Sequence, residues 1–319
     1  MIYSNLGYSG LRVSNLSLGT MAFGRWIDEK ASVQILDTAL DAGINLIDTA
    51  NFYGKGQDEQ FLYGTGESEE IIGRALKGRR DKVVLATKVG LPMGKDPNDA
   101  GLSKFHILRE LEYSLQRLQT DYIDLYQVHR FDDQTPLDET LSTLTALVNQ
   151  GKVRYIGCSN YAAWQIAKAN GISNLHGLEH FVSSQSQYNL LSRELENEVV
   201  PYCLSENVGL LVYSPMARGM LSGKYTSRDD VPEGSRAARG ERLIQNYFKD
   251  ENFAKLEAYK QAAEEHDVNL SQFSLAWISN QPAVTSAIVG ASNPYHVTDA
   301  AKISDWQWMD ELKQRVNLL

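Results

Sequence analysis

The sequence predicts an α/β protein built as a single (β/α)8 TIM barrel, and three observations lead there. Eight short apolar runs alternate with amphipathic stretches along 319 residues. Several of those runs are nearly continuous Val, Ile and Leu, the composition of parallel strands covered on both faces. The competing open, doubly wound sheet should carry GxGxxG after its first strand. No such motif occurs, and the pairs Gly54/Gly56 and Gly64/Gly66 lack a third glycine. A barrel of this type takes about 250 residues, more with insertions. The chain therefore reads as one domain over 1–319, with an N-terminal hairpin and a long loop after the seventh strand.

The elements follow in order. Residues 1–15, with Gly7 and Gly10, read as the hairpin. The strands are LSLG (16–19), NLID (45–48), KVVLAT (82–87), YIDLYQV (122–128), VRYIG (153–157), FVSSQ (181–185), GLLVY (209–213) and TSAIV (285–289). Between the third and fourth, Leu108, Leu111, Leu115 and Leu118 share one helical face. Ser103 is placed to cap that helix. Thr135 and Pro136 predict the start of the next helix and Gly151 its stop, while Gly43 and Gly78 close two earlier helices. Residues 224–250 read as a long polar loop, and loops of that length are either functional lids or disordered. Arg236, Arg239 and Arg242 within it either cover a ligand or are solvated.

Composition narrows the function. The formal net charge of −9 and the absence of basic runs argue against nucleic acid as a partner. An anionic ligand would need local donors. Cys158 and Cys203 have no metal-finger spacing, so a reducing compartment is the simpler reading. Neither a signal peptide nor a span of about 18 apolar residues is visible. A cytoplasmic protein without a membrane segment or a metal site is expected; a protein partner is left open.

In such a barrel the reactive groups sit at the C-terminal ends of the strands. The second strand ends in Asp48 and its loop carries Tyr53. The third ends in Lys88 and the fourth in His129. A tyrosine with an ordinary pKa of about 10 is a poor acid at neutral pH. Lys88 can lower that value, Asp48 can hold the lysine, and His129 can orient a carbonyl oxygen. Each residue alone has an ordinary structural reading; four at consecutive strand ends carry weight that none carries singly. The remaining rims offer Ser159 and Asn160, Gln185, Tyr213 and Ser214, and the GASN segment from Gly290. Cys158 reads as a small apolar strand residue. Trp26 and Phe52 read equally as walls of a substrate pocket and as loop packing.

These residues resemble the aldo-keto reductase superfamily over essentially the whole chain. NLIDTANFYG, GESEEIIGRAL, VVLATKVG, RLQTDYIDLYQVH, GKVRYIGCSN, SQSQYNLL, VYSPMARGMLSGKY and AIVGASNP stand in that family's order and spacing. The likeness is nearest to the bacterial-type branch that includes potassium-channel β subunits. It implies an Asp48–Tyr53–Lys88–His129 tetrad and reduction of aldehydes or ketones by hydride transfer. It also implies a nicotinamide site in which Ser159, Asn160 and Gln185 meet the carboxamide and Tyr213 stacks on the ring. Thr20, Ser214, Pro215, Arg218, Gly219, Lys224, Gly290, Ser292 and His296 complete the cofactor contacts it implies, with Arg218 and Lys224 on the pyrophosphate. NADP(H) is the favoured cofactor and NAD(H) the alternative. GASNPYHVTDAA has no Arg or Lys for a 2′-phosphate, and Ala300 stands where the family commonly has Asn. His296 could bind phosphate when protonated, near its ordinary pKa of about 6.5. The channel subunits imply the alternative function, a cofactor-binding regulatory or redox-sensing subunit with slow turnover.

Overall fold

The computed structural model describes residues 1–55, 62–235, 237–238, 240, 242–306, 308 and 310–317. Strands β1 (Tyr3–Asn5) and β2 (Arg12–Ser14) pair antiparallel as the expected hairpin. Eight parallel strands then close a barrel: β3 (Leu16–Gly19), β4 (Leu46–Asp48), β5 (Val84–Val89), β6 (Ile123–Val128), β7 (Val153–Ser159), β8 (Phe181–Gln187), β9 (Gly209–Tyr213) and β10 (Val284–Gly290). Helices α1 (Glu29–Asp41), α2 (Glu67–Ala75), α3 (Lys104–Leu118), α4 (Leu137–Asn149), α5 (Ala163–His176) and α6 (Val199–Glu206) follow β3 to β8. Helices α7 (Asp250–Glu264) and α8 (Leu270–Ser279) lie between β9 and β10, with α9 (Pro294–Ala301) and α10 (Asp310–Asn317) after β10. Among the described residues no helix is long and apolar enough to cross a membrane.

Alternation along each strand sorts side chains to two sides of the sheet. Leu16, Leu18, Ile47, Leu85, Tyr126 and Val128 join the large core beneath the helices. Leu46, Val84, Leu125, Val182, Leu211 and Ile288 form a second cluster with Leu6 and Val13 of the hairpin segment. Apolar residues thus fill the barrel near one end, and the next inward positions toward the C-terminal rim carry Asp48, Lys88, Gln127 and Gln185.

Local differences from the sequence reading have physical causes. The third barrel strand is displaced by two residues, because 82 belongs to a short 3₁₀ turn at Arg80–Lys82 and the Val84 amide first reaches Asn45 O at 2.7 Å. Strands β7 and β8 run two residues further than expected, to Ser159 and Gln187. Parallel ladder bonds are made by backbone and continue through polar residues, so Lys88 and Ser159 lie within strands rather than beyond them, and Gln185 lies inside β8 rather than at its end. Ser103 caps α3 as expected, accepting from the His106 amide. Thr135 does not cap α4; its hydroxyl donates to Asp132 at 2.7 Å, and Pro136 takes the cap position. The buried face of α3 is centred on Ile107, Leu111, Leu115 and Leu118, with Leu108 at its margin. The segment 224–250 is not uniformly a polar loop. It contains a 3₁₀ turn at Arg242–Tyr247, and Tyr225, Ile244, Tyr247 and Phe248 are buried. Arg236, Arg239 and the Arg242 side chain lie outside the described residues.

Candidate active site

Lys88 is the centre of the site. Its side chain is fully buried, and its Nζ reaches three oxygens: Asp48 Oδ2 at 2.6 Å, Thr49 O at 2.8 Å and Tyr53 OH at 3.3 Å. An ammonium has three N–H donors, so each finds an acceptor. The His129 ring meets the Tyr53 ring edge-on, with centroids 6.0 Å apart. The four residues named from sequence therefore converge. Asp48 lies on β4, Lys88 on β5, and Tyr53 and His129 in the loops after β4 and β6.

Backbone bonds hold the Tyr53 loop in place. Asn51 N donates to Lys88 O, Tyr53 N to Ala50 O, and Ser68 N of α2 to Tyr53 O. Thr20 hydrogen-bonds the Asp48 carbonyl through both its amide and its hydroxyl, each at 3.0 Å. The Ser68 hydroxyl lies 2.9 Å from Thr20 Oγ1 and 3.1 Å from Thr49 Oγ1. Thr20, expected at the cofactor, is thus also a structural tie beneath Asp48.

The electrostatics correct one expectation. Burial pushes the Tyr53 pKa up, Lys88 pulls it down and Asp48 pushes it up, and the balance lies above the ordinary phenol value. Lys88 alone would have lowered it; desolvation of a buried phenolate is the larger effect. For Lys88, burial disfavours the charge, but Asp48 and Tyr53 more than offset it, so the ammonium is retained. His129 is held well below its ordinary range by burial and by the charges of Lys88 and Arg130, so its ring is neutral at neutral pH. Among the described residues its Nδ1 is buried without a hydrogen-bond partner.

The expected cofactor residues ring this centre. Asn160 Nδ2 donates to His129 O at 3.0 Å and to Ser159 Oγ at 2.9 Å, and Tyr213 OH donates to Asn160 Oδ1 at 2.7 Å. Burial raises the Tyr213 pKa to about 12. Gln185 Nε2 donates to Asp48 Oδ1 at 2.7 Å. Beyond β9 the chain turns through positive φ at Ser214, Ala217, Arg218 and Gly219, with Pro215 buried between them. The Arg218 charge acts electrostatically on Tyr53 and Tyr213. A side chain at Gly219 would begin 3.1 Å from Lys224 Nζ. Lys224 in turn influences His296, whose pKa is held below its ordinary value by desolvation and by that charge. Any protonation of His296 therefore begins below the expected 6.5. Ser292 N and Oγ approach His296 Nδ1, and Asn293 caps α9. Space beside Gly290 is open. Trp26 and Phe52 are half-buried after β3 and β4, with the Arg25 guanidinium 4.3 Å above the Trp26 ring.

Sequence reasoning missed the polar residues behind and beneath this centre. Glu69 and Glu110 are buried: Glu69 accepts from Thr87 Oγ1 at 2.6 Å and pairs with Arg117 at 2.7 Å, while Glu110 accepts from Asn51 Nδ2 at 3.1 Å. A signal existed for Glu110, since a charge between Ile107, Leu111 and Ser114 stands on the apolar face of α3. Gln127, inside a run read only as a strand, donates to Asp48 Oδ1 at 3.3 Å. A groove of about 950 Å³ lined by Arg79, Arg80, Glu112, Tyr122 and Lys152 touches none of these residues.

The family model for aldo/keto reductases matches residues 15–316. The chain belongs to the aldo/keto reductase family. Membership places it among the oxidoreductases and agrees with the closed barrel and hairpin. It is similar to the Bacillus subtilis oxidoreductase YrpG, 40% identical over 99% of this chain and 95% of that protein. It is also similar to a probable voltage-gated potassium channel subunit beta of rice, 36% identical over 96% of this chain and 92% of that one. The versiconal hemiacetal acetate reductase of Aspergillus parasiticus is 34% identical over 94% of this chain and 91% of its own length.

Proposed function

We propose that the chain reduces an aldehyde or ketone to an alcohol with NADP(H), Tyr53 donating the proton to the carbonyl oxygen. The observation that carries this reading is the buried Lys88 ammonium shared by Asp48, Thr49 and Tyr53, with His129 beside the phenol. When bound, a reduced nicotinamide would supply the hydride. Tyr53 keeps its proton at neutral pH because burial outweighs Lys88. As that proton leaves, the negative charge developing on the phenol oxygen lies 3.3 Å from an ammonium already in place. The neutral His129 ring can give or accept one hydrogen bond at the substrate oxygen, which orients it. Asp48 fixes Lys88 and balances its charge.

The donor set fits a phosphorylated dinucleotide. Arg218, Lys224, the Ser292 hydroxyl and the capped start of α9 are the kinds of group that bind phosphates. Asn160, Gln185 and Tyr213 carry the amides and the ring that would hold an amide-bearing ring near Tyr53. Lys224, whose charge acts on His296, would offer the cation that GASNPYHVTDAA lacks, which favours NADP(H) over NAD(H). Buried free Cys158 and Cys203 fit a reducing compartment, hence the cytoplasm.

The test follows loss of reduced-nicotinamide absorbance with aromatic, aliphatic and sugar aldehydes, NADPH and NADH in parallel. Tyr53→Phe should keep cofactor affinity and lose roughly 10²–10⁴-fold in turnover. Substantial turnover by that variant would remove Tyr53 as the acid. The likeness to plant channel subunits favours a second reading, a cofactor-binding regulatory subunit. Tight cofactor binding, no carbonyl turnover and a co-purifying membrane protein would support it.

A further inference from the structure

We propose that Gln127 is a positioning residue: its amide holds Asp48 and Gln185 in the arrangement that sets Lys88 against the Tyr53 hydroxyl. This rests on the reading of Tyr53 as the acid. Asp48 Oδ2 is taken by Lys88, so the orientation of the carboxylate depends on what holds its other oxygen. Two amides do: Gln185 Nε2 at 2.7 Å and Gln127 Nε2 at 3.3 Å. Gln127 Oε1 in turn accepts from Gln185 Nε2 at 3.3 Å. Side chains from β4, β6 and β8 thereby close a ring of hydrogen bonds across the barrel.

Gln127 is fully buried, where an apolar side chain would be the default and an amide is costly unless bonded. Its space comes from Gly157 on β7. A Cβ there would lie 3.3 Å from Gln127 Cγ and 2.6 Å from Ser183 Oγ. The ring also links the acid to the nicotinamide side, since Gln185 is a member of both. The charged and titratable groups around it are Lys88 on β5, Tyr53 after β4, His129 after β6, Tyr213 at the end of β9 and Arg218 beyond.

Two substitutions test the role. Gln127→Met keeps length and removes both hydrogen bonds. Gln127→Glu keeps shape; its carboxyl can donate to Asp48 when protonated and repels it when ionised. We expect kcat of the Met variant to fall about tenfold at every pH, as for one lost hydrogen bond to a charged group. The Glu variant should approach wild-type turnover near about pH 5 and lose it as the introduced carboxyl ionises. Tyr53 ionisation is read without substrate, as the tyrosinate absorbance difference between each protein and its Tyr53→Phe counterpart. Its midpoint should move up in both variants. An unmoved midpoint, or equal losses in the two variants at all pH values, would overturn the proposal. A moved midpoint in a protein that turns over no carbonyl keeps the positioning role and removes the reductase reading.

Discussion

Replacing Lys88 with methionine tests the centre of the site without assuming any substrate. The change keeps most of the side-chain volume and removes three hydrogen bonds, to Asp48, Thr49 and Tyr53. It leaves a carboxylate whose side chain is 4% exposed with only amide donors. Breaking a buried ion pair by removing one partner costs about 3–5 kcal/mol. At this chain length 1 kcal/mol corresponds to about 2 °C, so the melting temperature should fall by roughly 6–10 °C. Urea denaturation of wild type, Asp48→Asn, Lys88→Met and the double variant gives the coupling. The double variant should cost less than the sum of the singles by about 1–3 kcal/mol. Additive losses, or a Lys88→Met protein within about 0.5 kcal/mol of wild type, would refute a charged, buried pair.

Three further outcomes are expected. Gly219 has φ of +103°, and Gly219→Ala also brings a Cβ to 3.1 Å from Lys224 Nζ. It should cost about 1–3 kcal/mol by thermal melting and weaken cofactor binding, read by fluorescence titration. Asp132 accepts from Leu102 N, Thr135 Oγ1 and Gln134 N; burial raises its pKa, but these bonds outweigh that and the balance is below the ordinary value. Its stabilisation is therefore present above the unfolded pKa of about 3.9 and lost as pH falls through the lower folded value. Asp132→Ala should trail wild type in urea denaturation at neutral pH and converge with it in acid. Lys224→Met should weaken NADPH binding about tenfold or more while barely changing NADH binding; equal losses would place Lys224 on a phosphate common to both.

The sequence alone determined the alternation of strands and helices, because burial on both faces writes itself into short Val, Ile and Leu runs. It also carried Asp48, Tyr53, Lys88 and His129, whose positions after consecutive apolar runs bring them to one rim in a barrel. The Ser103 cap and the Gly151 stop were legible because helix termini are set locally. Tertiary structure decided what depends on distance across the barrel. Gln127 and Gln185 meet Asp48 from 79 and 137 residues away, and no local pattern encodes that approach. The Tyr53 pKa lies above rather than below the ordinary value, because the sequence names the neighbouring charges but not the desolvation opposing them. Glu69 is buried for the same kind of reason: it is an ordinary helix carboxylate until Arg117 and Thr87 arrive from other elements to satisfy it.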